Sequence, residues 1–218
     1  MKIGVLGTGV VGEALGTKLV QLGHEVKMGS RTANNEKATA WVAKNHAHAP
    51  LASHGTFADA ATFGAIVINC TSGQASLDAL RLAGADNLKG KVIIDIANPL
   101  DFSRGMPPSL LVCNTDSLGE QIQRAFPEAR VVKTLNTMNC NLMVNPGLLA
   151  EEQAVFVSGN DPEAKATVTA LLKEGFGWKD VIDLGDITTA RGTEMMLPLW
   201  VSLMGKLGTP LFNFKIVR

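Results

Sequence analysis

The chain opens on the apolar run Ile3-Gly4-Val5-Leu6, which passes directly into Gly7-Thr8-Gly9-Val10-Val11-Gly12, and this junction constrains the fold more than any other feature. A strand that turns through GxGxxG into a helix has a definite physical use. The first glycine permits the tight turn, the second lets backbone approach a pyrophosphate, and the third lets the helix pack closely on its strand. Unpaired N–H groups at the helix start then hold phosphate oxygens. The helical context is present, because Leu15, Leu19 and Leu22 recur at helical spacing and Gly23 supplies a stop. Together these residues predict a βαβ unit that binds a nicotinamide dinucleotide.

The end of the second strand selects the nucleotide. An Asp or Glu about 20 residues beyond the glycines would bond the ribose 2′-hydroxyl of NAD. Here the strand Glu25-Val26-Lys27-Met28 runs instead into Gly29-Ser30-Arg31-Thr32. The Ser30 hydroxyl beside the Arg31 guanidinium suits the 2′-phosphate of NADP, which a carboxylate would repel. Lys37, one turn into the next helix, is a further candidate charge for the same phosphate.

Beyond this unit the pattern keeps alternating. Helices are predicted over residues 35–44, 57–63, 75–82, 118–126 and 162–172, with strands over 49–53, 65–69, 91–95, 131–135, 154–158 and 181–184. The runs Ala65-Ile66-Val67-Ile68-Asn69 and Lys91-Val92-Ile93-Ile94-Asp95 suit parallel strands buried on both faces. The fold class expected is α/β: a Rossmann-type, doubly wound, mostly parallel sheet of seven or eight strands. A long helix over 189–206, with Pro198 as a kink, and an alternating strand at Leu211–Ile216 should close the chain. Residues 1–188 thus form the expected NADP-binding domain. Residues 189–218 form a C-terminal helix and tail that complete the core or a homodimer interface.

Composition narrows the function. With 218 residues, 46% of them apolar, the chain can bury one full core, and its 20 basic and 20 acidic residues leave no net charge to attract nucleic acid. The apolar stretch from Met195 to Met204 is too short to span a bilayer, so a soluble protein with no membrane partner is expected. Three cysteines, Cys70, Cys113 and Cys140, lack metal or CxxC spacing and suit a reducing cytoplasm. His46, His48 and His54 read as residues of a helix-to-strand connection rather than as metal ligands.

In an open parallel sheet the ligand lies beyond the carboxyl ends of the strands. Three segments fall there: Asn69-Cys70-Thr71-Ser72, Ala97-Asn98-Pro99, and Asn136-Thr137-Met138-Asn139-Cys140. Cys70, Thr71, Ser72, Asn98, Pro99, Asn136, Thr137 and Cys140 are therefore the candidates for lining the nicotinamide site. All are small and neutral, fit to hydrogen-bond a flat heterocycle and poor at moving protons. The chain has no Tyr, which excludes a Tyr/Lys proton relay, and its four His all precede Gly55. No side chain stands out as an acid or base, so no catalytic residue is assigned. Hydride exchange between NADPH and a flavin-like ring fits this absence, since there the protein has only to stack and align two rings.

Over nearly its full length the chain resembles the family of NADPH:coenzyme F420 oxidoreductases, small proteins related to the cytosolic domain of six-transmembrane ferric reductases. The resemblance rests on Gly7–Gly12, on Gly29-Ser30-Arg31, on Asn98-Pro99 followed by Ser103-Arg104-Gly105, and on Val131-Val132-Lys133-Thr134-Leu135-Asn136-Thr137. It implies NADP contacts at Thr8, Gly9, Val10, Val11, Ser30 and Arg31, with Lys37, Cys70, Asn98 and Cys140 alongside, and a dimer built partly by the C-terminal helix and tail. Deazaflavin-using members carry Ile-Pro after the strand ending here at Asn69, and His-Thr-Ile-Pro where this chain has Asn136-Thr137-Met138-Asn139. The more polar lining leaves F420, FMN, FAD, riboflavin or another small hydride acceptor open. The alternatives from other classes are a non-catalytic NADP-binding redox sensor or scaffold, and an imine reductase, which would need a longer helical dimerisation domain.

Overall fold

The computed structural model describes residues 1–217. The first half alternates strand and helix: β1 (Lys2–Leu6), α1 (Val10–Gln21), β2 (Glu25–Ser30), α2 (Glu36–Lys44), β3 (Ala52–Thr56), α3 (Phe57–Phe63), β4 (Ile66–Asn69), α4 (Gly73–Ala83), the short α5 (Ala85–Leu88) and β5 (Val92–Asp95). A two-stranded hairpin of β6 (Leu100–Asp101) and β7 (Ser109–Leu110) follows. The second half comprises α6 (Leu118–Ala125), β8 (Arg130–Thr134), α7 (Cys140–Val144), β9 (Ala154–Gly159), α8 (Pro162–Ala170), β10 (Asp180–Gly185), α9 (Ala190–Met195) and α10 (Leu197–Leu207).

Eight strands form one sheet in the order β10-β9-β8-β5-β4-β1-β2-β3. Neighbours are parallel except β8 and β9, which run antiparallel. Every residue of β4 and β5 is buried, as continuous apolar runs covered on both faces require. Ile3, Val5, Leu15, Leu19, Met28 and Trp41 pack on one side of the sheet, and Leu6, Phe57, Val67, Leu80, Ile93 and Ile122 on the other. Because β1 has β2 on one side and β4 on the other, the order reverses there and a crevice opens above their carboxyl ends.

Three expectations need correction. The strand placed at 49–53 begins at Ala52, where parallel pairing with β2 sets its register from Val26↔Ala52 to Ser30↔Thr56. The helix placed at 189–206 is two helices that meet at Met196, because Pro198 lacks an N–H and is suited to a first turn rather than a helix interior. The terminal strand at Leu211–Ile216 does not form. That segment is extended, but its ties are one backbone bond, Ala154 N–H to the Phe214 carbonyl at 3.0 Å, and the Asn213 amide to the Ala154 carbonyl at 3.3 Å. Both ties fall on Ala154, at the end of β9 that β8 leaves unpaired, since β8 meets only Val157–Gly159, and no ladder continues from them. Among the described residues no helix is long and apolar enough to cross a membrane.

Candidate functional site

The Gly7–Gly12 turn has the shape a pyrophosphate requires. Gly7 sits at φ +115°, and a Cβ on Gly12 would lie 2.1 Å from the Gly7 carbonyl oxygen, so α1 packs on β1 only without a side chain there. A Cβ on Gly9, in contrast, would meet nothing within 4 Å. Gly9 is also the N-cap of α1 and offers no side-chain cap, which leaves the first-turn N–H groups open to an anion. Glu13 in that turn would oppose a phosphate, but Lys44 holds its carboxylate at 2.6 Å. Thr8 lies between the glycines, half-buried.

Ser30 ends β2, and its hydroxyl donates to the Thr32 carbonyl at 2.6 Å, folding the next residues into a tight loop. Arg31 and Lys37 are exposed around this loop, and among the described residues neither has an ion-pair partner. His54 steadies the loop from β3, with its Nδ1 3.1 Å from the Ala33 carbonyl. The surface beside the turn therefore offers free positive charge, while Ser30 is buried beneath it with its hydroxyl proton already donated to Thr32. His46 is tied separately, its Nδ1 2.9 Å from the Ala43 carbonyl, and no three His, Cys, Asp or Glu side chains among the described residues are grouped to hold a metal ion.

On the other side of the turn is a cleft of about 370 Å³. Val10, Val11, Cys70, Thr71, Ser72, Asn98, Asn136 and Cys140 line it together, so the segments after β1, β4, β5 and β8 converge. Pro99 and Thr137 are buried behind this wall rather than on it. Asn98 and Asn136 lock the two segments to each other: the Asn98 amide donates to the Asn136 carbonyl at 2.8 Å, and the Asn136 amide donates to Asn98 Oδ1 at 2.9 Å. Thr71 is fixed by donating to Asn69 Oδ1 at 2.7 Å. The wall also includes Phe102, Leu197 and Trp200, which the sequence reading did not place there. Trp200 and Leu197 carried no signal beyond an apolar helical stripe, which ordinarily means core. Trp200 stacks on Phe212, ring centroids 5.3 Å apart.

No side chain on this wall is charged. Burial, then the charge of Asp95, pushes the Cys70 thiol far above its ordinary pKa, and burial likewise raises Cys140. Both thiols stay protonated near neutral pH and act as wall atoms, not nucleophiles. The cleft can hold, orient and dehydrate flat rings, and it supplies no proton-transfer group.

Beneath the cleft lies an ionic network that sequence reasoning missed. Lys133 on β8 is 1% exposed, with its ammonium 2.8 Å from Asp95 Oδ2 and 2.8 Å from Glu194 Oε1. Burial pulls the Lys133 pKa down, but the two carboxylates, Asp95 first, outweigh it and hold the ammonium above its ordinary value. Glu194 accepts the Leu118 and Gly119 N–H groups at 2.8 and 3.0 Å, where the positive end of α6 offsets its charge. The available signal was a charged residue following an apolar run in each of two strands, Asp95 after Val92-Ile93-Ile94 and Lys133 after Val131-Val132.

Comparison with known proteins points to the same fold and nucleotide. Residues 2–99 match the family described as NADP oxidoreductase, coenzyme F420-dependent. The crystal structure of a proposed F420-dependent NADP reductase from Arthrobacter sp. FB24 is 57% identical over the whole of both chains, with a TM-score of 0.94. The metalloreductase STEAP3 of Rattus norvegicus is 29% identical over 204 residues, which cover 91% of this chain and 38% of that protein. The chain thus spans little more than a third of that curated relative. A reductive aminase from Aspergillus terreus, solved with NADPH and ethyl-5-oxohexanoate, shares the fold at 21% identity and a TM-score of 0.64, covering 95% of this chain and 61% of the other.

Proposed function

The chain belongs to the family of coenzyme F420-dependent NADP oxidoreductases, and from that premise we propose that it moves hydride between NADP(H) and a flavin or F420-like deazaflavin ring bound in the cleft. The observation that carries this reading is the uncharged wall made by four strand ends beside an open phosphate turn. In it, the N–H groups opening α1 hold the pyrophosphate, Ser30 and Arg31 take the 2′-phosphate with Lys37 nearby, and Thr71, Asn98 and Asn136 present hydrogen-bonding edges to the nicotinamide. Bound NADPH supplies the hydride from C4 of its reduced ring. Trp200, Leu197 and Phe102 would cover the acceptor's far face and hold its ring against the nicotinamide, leaving the edge of the ring open to solvent. A proton from solvent at the acceptor's edge completes its reduction, so no acid is needed on the wall.

The test is NADPH absorbance at 340 nm with F420, FMN, FAD and riboflavin in separate reactions. Loss of signal that depends on one ring supports the reading and names the acceptor. Tight NADPH binding with no loss in any of them favours the redox-sensor alternative. Replacing Arg31 with Ala should weaken NADPH binding by about 1.5–3 kcal/mol, the worth of a charge-assisted bond, and leave NADH almost unaffected. Equal losses for the two nucleotides, measured by fluorescence titration, would remove Arg31 from the 2′-phosphate site.

The reading includes a homodimer in the cytoplasm, with residues 189–218 at the interface. Leu199, Leu207, Leu211 and Ile216 are 53%, 55%, 43% and 45% exposed, an apolar surface that a second copy would cover. Light scattering should give twice the chain mass of 23.0 kDa. A monomer at micromolar concentration would contradict it.

A further inference from the structure

Desolvating three charges is costly, and well-packed apolar side chains often serve a core equally well, so the buried triad of Asp95, Lys133 and Glu194 needs a reason to be there. Each carboxylate and carbonyl around Lys133 leads to a different part of the cleft. Lys133 donates to the Ala97 carbonyl, one residue before Asn98. Asp95 Oδ1 accepts the Asn69 amide at 2.8 Å, and Asn69 in turn holds Thr71. Glu194, near the end of α9, lies three residues before Leu197 and six before Trp200, and also fixes the start of α6. One ammonium is therefore the common anchor of the walls after β4 and β5 and of the C-terminal wall opposite them.

We propose that Lys133 is the positioning residue of the hydride-transfer cleft, holding the nicotinamide-side loops and the Leu197/Trp200 wall in one geometry through Ala97, Asp95 and Glu194. Its kinetic part rests on the function proposed above. Phosphate binding at the Gly7–Gly12 turn and at Arg31 does not pass through the triad. Disturbing the triad should therefore separate nucleotide affinity from transfer rate.

Two variants test this. Glu194→Gln keeps one carbonyl oxygen, enough for one of the two α6 N–H groups, and removes the charge that faces Lys133. The triple variant Asp95→Asn/Lys133→Met/Glu194→Gln removes every charge of the triad, so it leaves no unpaired ion if the single variant fails to fold. In either, the NADPH dissociation constant should stay within about twofold of the parent, as for independent sites. The single-turnover rate constant for hydride transfer should fall by about 10- to 100-fold, the cost of misplacing reacting atoms by a fraction of an ångström to an ångström. That constant does not depend on how much of the sample is folded, so a merely structural role would leave it unmoved. Should the parent reduce none of the four acceptors, the function proposed above fails by itself. The positioning role is then read from the emission lifetime of bound NADPH and from amide exchange over Leu197–Leu207, both expected to change. A folded variant whose transfer rate, bound-NADPH lifetime and exchange all match the parent would overturn the proposal.

Discussion

Gly9→Val should abolish NADP(H) binding and leave the protein folded. The position has open space around its missing Cβ, so the substitution meets no protein atom. What it blocks is the approach of a pyrophosphate to the first-turn N–H groups of α1. Losing two or more charge-assisted bonds at about 1.5–3 kcal/mol each weakens affinity at least about 100-fold. Gly12→Val provides the contrast, because its Cβ would lie 2.1 Å from the Gly7 carbonyl oxygen and α1 could no longer pack on β1. Fluorescence titration with NADPH beside a thermal melt separates the two cases. Gly9→Val should lose binding with the melt preserved, and Gly12→Val should lose both. Retained affinity in Gly9→Val would mean that this turn is not the phosphate site.

Lys133→Met should cost stability rather than binding in the first instance. The substitution strips two buried carboxylates, 0% and 1% exposed, of the cation between them. Removing one partner of such a cluster typically costs about 3–5 kcal/mol. Urea unfolding followed by circular dichroism should show a markedly lower midpoint with an unchanged slope. Adding Asp95→Asn and Glu194→Gln should recover much of the loss, since no unpaired charge then remains. An unchanged midpoint in Lys133→Met alone would contradict a buried ion network.

How much of this was legible beforehand follows from what each feature depends on. The β1-α1-β2 unit is written locally: glycines at fixed spacing, helical leucines, and a serine-arginine pair where a carboxylate would otherwise stand. Val10, Val11, Cys70, Thr71, Ser72, Asn98, Asn136 and Cys140 were traceable because parallel strands deliver their carboxyl ends to one edge, whatever the side chains. The triad was not traceable, since Asp95 and Lys133 lie in apolar runs and their partner Glu194 joins only through tertiary packing of α9. Trp200 was hidden for the same reason. Its stripe reads as core until the break at Met196 turns α10 toward the cleft. The tail at Leu211–Ile216 alternates like a strand, but alternation cannot reveal that its ties to β9 stop at Ala154.

The most direct test of the central claim uses NADPH deuterated at C4 of its reduced ring, in a single turnover with a deazaflavin acceptor. A deazaflavin has carbon at position 5, so a transferred label cannot wash out to water as it would from a flavin nitrogen. Direct transfer between rings stacked in the cleft predicts deuterium at that carbon in the reduced acceptor. A reduced ring carrying solvent hydrogen, or NADPH left bound and unoxidised beside every ring supplied, would contradict it.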